Sequence, residues 1–82
     1  MSPDEAEMLA KLRGLYEEYQ QLNRKITLAA QKRRFSDDPA EAERAAQEEQ
    51  GWLRDMSRLM DRMRAVESSL MRARKRIRPL YH

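Results

Sequence analysis

The chain has 82 residues, no cysteine, 38% charged residues and a net charge of +3. That length holds one domain at most, and the missing thiols exclude a disulfide framework and a thiolate metal centre. No apolar run approaches the roughly 18 residues of a membrane span, and the acidic opening "MSPDEAEMLA" is not expected to act as a signal or transit peptide.

With two glycines, three prolines and an abundance of Ala, Leu, Arg, Glu, Gln and Met, the chain reads as long helices. The first begins at "SPDE", with Ser2 as cap, Pro3 at the first helical position, and Asp4, Glu5 and Glu7 near the positive end of the helix dipole. It is predicted over residues 3–34. A bend follows at 35–38, where "SDDPAEAE" repeats the starting device with Asp38 as cap, Pro39 next and Glu41 as capping-box partner. The second helix is predicted over 39–78 and is ended by Pro79.

The apolar spacing gives the fold class: all-α, an antiparallel two-helix coiled-coil hairpin that self-associates or joins partner helices in a bundle. Met8, Leu12, Leu15, Tyr19, Leu22, Ile26 and Ala29 alternate steps of four and three. So do Ala45, Glu49, Trp52, Met56, Leu59, Met63, Val66, Leu70, Ala73, Ile77 and Leu80. This is a heptad seam, with Glu49 its one charge and Trp52 and the methionines as core filling. Beside it run Leu9, Tyr16 and Ala30 on the first helix and Ala46, Leu53 and Met60 on the second. These flanking rows widen the apolar face beyond what two helices bury, as in larger bundles.

Charge selects the topology. Residues 1–18 carry −3, 19–36 carry +5, 37–51 carry −5 and 52–82 carry +6. Folding back at residue 37 lays opposite signs together, which chooses between topologies even where each surface pair adds little stability. Counting outward from the bend sets Met8 near Val66 and Pro3 near Leu70. Residues from Met71 onward then have no first-helix neighbour, Ala73, Ile77 and Leu80 face nothing, and Arg72, Arg74, Lys75, Arg76 and Arg78 form an uncompensated basic patch.

No catalytic constellation is present. His82 is the only histidine and the last residue, with nothing to hold it as a base. Asp37 and Asp38 are explained by capping. Glu17–Glu18 and Glu48–Glu49 lack Glu-x-x-His spacing, and there is no phosphate loop or nucleophile elbow. The expectation is a non-enzymatic cytoplasmic interaction module with no cofactor, metal or small-molecule substrate: a small adaptor, assembly factor or chaperone-like subunit. It would bind partner helices or itself, as a dimer or higher, through Leu9, Tyr16, Leu53, Met60, Ile77, Leu80 and Tyr81, with the tail cations adding steering. The alternative is a nucleic-acid-binding accessory protein using Arg72 to Arg78 and the outer arginines of helix two.

Overall fold

A computed structural model describes the backbone of residues 3–77 and the side chains of residues 3–75. Ser2, Arg78, Pro79, Leu80, Tyr81 and His82, and the side chains of Arg76 and Ile77, lie outside that description, so the expectations placed on them are not addressed.

Two helices make up the fold, α1 from Pro3 to Phe35 and α2 from Pro39 to Ile77. Each opens on its proline with acids in the first turn, and α1 closes on Lys32, Arg33 and Arg34, so both ends suit the helix dipole. The bend is short and internally bonded. Ala40 N–H donates to Asp38 Oδ1 at 3.0 Å, and Asp38 N–H donates to Ser36 Oγ at 3.2 Å. Asp38 therefore caps α2, but the reciprocal bond assigned to Glu41 comes from Ser36. The serine sits two residues back along the bend and reaches the amide directly.

The helices pack antiparallel into a rod of 63 × 18 × 15 Å. Its radius of gyration is 18.7 Å, against about 12 Å for a compact domain of this length. Every described seam residue is buried or half-buried, and no flanking residue is fully buried. Leu15, Leu59 and Met63 form the centre, with Leu12, Tyr19, Leu22, Met56 and Val66 packed against it. Ala29, Ala45 and Leu70 are buried nearer the two ends. This remains a single-layer core, and no large side chain among the described residues is completely shut off from water.

The interhelix contacts fit a register in which Leu15 lies level with Met63, Leu12 with Val66 and Met8 with Leu70. That is one helical turn, roughly 6 Å, further out than counting from the bend suggests. The reason is the interlock of the seam. Knobs of one helix enter holes of the other only at shifts that set a against d, in steps of seven residues, and equal counting from residue 37 falls between two such shifts. Leu70 is consequently 6% exposed, with first-helix residues on both sides of it.

Candidate partner-binding face

In heptad notation the seam holds positions a and d. Position e follows d, and g precedes a. When two helices run antiparallel, e lies beside e of its partner along one edge of the pair, and g beside g along the other. The two edges of this hairpin differ sharply.

The g edge is charged. Asp4, Lys11, Glu18, Lys25 and Lys32 lie on α1, and Glu41, Glu48, Asp55, Arg62 and Ser69 on α2. Glu18 Oε2 and Arg62 Nη1 approach to 3.8 Å across it. Lys25 and Asp55 share one shallow depression with that pair, and Lys32 and Glu48 share another. Lys25 Nζ stands 4.8 Å from the centroid of the Trp52 ring, so Trp52, placed on the seam from its spacing, turns one face toward this edge and is only half-buried.

The e edge has no charge from Tyr16 and Met60 to the bend, with Tyr16, Asn23 and Ala30 on α1 and Ala46, Leu53 and Met60 on α2; Leu9 lies further out on that edge, beyond the level of Glu67. Three of its large side chains face water, Tyr16 at 52%, Leu53 at 49% and Met60 at 40% exposure, while Leu9 is half-buried. The Tyr16 and Tyr19 rings meet edge-on, with centroids 6.5 Å apart, so one tyrosine ties the seam to the flank. Met71, 60% exposed, stands at the b position just outside the same edge; it and Met60, counted with the core-filling methionines from the sequence, face water instead, because both lie to the flank of the a and d positions. Leu28 and Phe35 are also exposed, but at c positions beyond the g edge, as scattered surface apolars.

The ends of the seam are polar. At the bend, Arg33 Nε donates to Glu49 Oε1 at 2.7 Å, both at a positions, beside the buried Ala29 and Ala45. The charge that interrupts the seam is therefore partnered. At the open end, Arg74 Nε donates to Glu5 Oε1 at 2.9 Å, and Glu5 is itself only 13% exposed. Arg74 is thus compensated, and Ala73 is half-buried instead of facing nothing. The misplaced overhang has a second cause beyond the register. Helical side chains lean toward their own N-terminus, so in an antiparallel pair Arg74 reaches back toward the bend while Glu5 reaches away from it. Glu18–Arg62 and Arg33–Glu49 are offset in the same sense. All three pairs join the quarters that charge counting matched.

Of the remaining basic patch, Arg72 Nη2 donates to Ser69 Oγ at 3.2 Å, and Lys75 is exposed; the predicted contacts at Ile77, Leu80 and Tyr81, with Arg76 and Arg78, fall outside the described side chains. Compared with known proteins, the chain matches no family model, no curated protein and no solved structure. Among the described residues no group of His, Asp or Glu side chains is arranged to hold a metal ion, no helix is long and apolar enough to cross a membrane, and no buried side-chain polar atom lacks a partner.

Proposed function

We propose that this hairpin is a protein-binding module without chemistry of its own, an adaptor or assembly subunit whose uncharged e edge receives partner helices. One observation carries the reading: Tyr16, Leu53 and Met60 are 40–52% exposed along a stretch of the e edge that is free of charge from Tyr16 and Met60 to the bend, while the opposite edge of the same two helices is charged almost throughout. A contiguous apolar strip of this kind marks an interaction site, and helix-on-helix packing is the mode that an elongated face built from e positions supports. The basic end attracts less weight as a nucleic-acid site, since Arg74 is tied to Glu5 and Arg72 leans on Ser69.

Photo-crosslinking in the native host tests the reading. A crosslinker replacing Leu53 or Met60 is expected to give protein adducts, and one replacing Arg58, on the far side of α2, is not. Equal yields at all three positions would contradict it, and adducts to nucleic acid from positions 72–75 would favour the alternative.

A further inference from the structure

Resting on that reading, we propose that the occupant of the e edge is a second copy of this chain, the two hairpins stacking edge to edge about a two-fold axis along the rod to give an antiparallel four-helix bundle. Three features point to a copy over a single foreign helix.

The first is area. From Leu9 to Ala30 the edge, with Glu67 of α2 set between the levels of Leu9 and Tyr16, runs about 33 Å at 1.5 Å per residue, and the hairpin is 15–18 Å across. The projected footprint is roughly 500–600 Å², and its corrugated accessible surface approaches the ~800 Å² per partner of a stable interface. A single helix, about 10–12 Å wide, leaves part of that width in water.

The second is charge polarity. Both helices run from acid to base, so any antiparallel stacking matches signs, and the two-fold sets α1 of one copy antiparallel to α2 of the other. An isologous contact of this kind needs the face to complement itself, and this one does at each level: Tyr16 over Met60, Asn23 over Leu53 and Ala30 over Ala46 of the second copy.

The third is the rim. Glu67 interrupts the e row of α2 just beyond Met60, and neither it nor Arg13, Arg34 or Glu43 makes an ion pair within the described chain. About the proposed axis, Arg13 leans toward Glu67 of the second copy, and Arg34 lies at the level of its Glu43. Arg13 also approaches Arg64 there, but Arg64 is already paired with Asp61 at 3.2 Å.

Absolute mass by light scattering and analytical ultracentrifugation tests the proposal. The wild-type chain should weigh twice its 9.8 kDa at micromolar concentration. The pair Leu53→Glu and Met60→Glu should return it to a helical monomer, with Met60→Gln as a milder variant if helicity at 222 nm is lost. Arg58→Glu should leave the dimer intact. Arg34→Glu should weaken the dimer about fivefold, as two symmetry-related exposed pairs are lost, and adding Glu43→Arg should restore it. Failure of that rescue would overturn the proposed axis, and a dimer broken by Arg58→Glu but not by the Leu53 and Met60 changes would overturn the face. A wild-type monomer at high concentration would overturn the second copy. If photo-adducts to other proteins still formed at positions 53 and 60, the binding-module reading would survive; if none formed, it would fall as well.

Discussion

The two long edges of this rod are built by the same helices, over the same levels, from residues one heptad position to either side of the seam. Along g, Glu18 meets Arg62, Lys25 and Asp55 line one depression, and Lys32 and Glu48 line another. Along e, Tyr16, Leu53 and Met60 stand in water with no charge between them. Exposed ion pairs are weak, but they need no further partner, since water and counter-charge satisfy them. Exposed apolar rows are the reverse: they gain nothing from solvent and lose free energy until covered, at about 25 cal/mol per Å². One edge therefore favours closure of the hairpin in the right topology, and the other favours association.

The largest break in this comparison removes the seam that keeps the edges apart. Leu59→Ala, at a position 4% exposed, should cost about 2–4 kcal/mol, lowering the urea midpoint of the helical signal and dismantling both edges together. Next is the polar layer at the bend. Glu49→Ala leaves Arg33 reaching into a half-covered site and should cost about 1–2 kcal/mol. A double-mutant cycle with Arg33→Ala should recover part of that loss as coupling, and strict additivity would show the 2.7 Å contact to be energetically silent.

A smaller change, of opposite sign, sharpens the contrast. Gly14 and Gly51 occupy c positions, outside the g edge, with ordinary helical backbone and open space where a Cβ would stand. Gly51→Ala should stabilise the hairpin by about 0.5–1 kcal/mol without altering its mass in solution. A loss of association on that substitution would put the partner on the wrong side of the rod. Smallest is Arg62→Gln on the g edge. Its 3.8 Å pair with Glu18 joins two side chains more than half exposed, so thermal melts should move by no more than about 0.5 kcal/mol, and less still at high salt.

Much of this arrangement was legible in the sequence. Alternating steps of four and three named the seam from Met8 to Ala29 and from Ala45 to Ala73 but not the polar a positions Glu5 and Arg33 at its ends, Pro39 and Asp38 placed the bend, and the four charge quarters selected the antiparallel topology that the three interhelix ion pairs follow. What escaped was three-dimensional in a specific way. Level-by-level counting ignores the interlock of knobs and holes, which moves Met8 from Val66 to Leu70. It also ignores the lean of helical side chains, which brings Arg74 to Glu5. The flanking residues Leu9, Tyr16, Leu53 and Met60 were picked out individually. That both rows open on one edge follows only once the antiparallel geometry is applied to them, and Met71 joins them only when the b position is included. Among the described residues the unmet apolar surface thus lies along the side of the rod.

The account turns on whether the e edge is covered in solution. Oxidative footprinting of the methionines reads this directly, because Met60 and Met71 stand on or beside the edge while Met63 is held in the seam at 8% exposure. As protein concentration rises through the association range, Met60 and Met71 should lose reactivity toward that of Met63. Reactivities that stay high and independent of concentration, with no partner added, would contradict a self-covered edge.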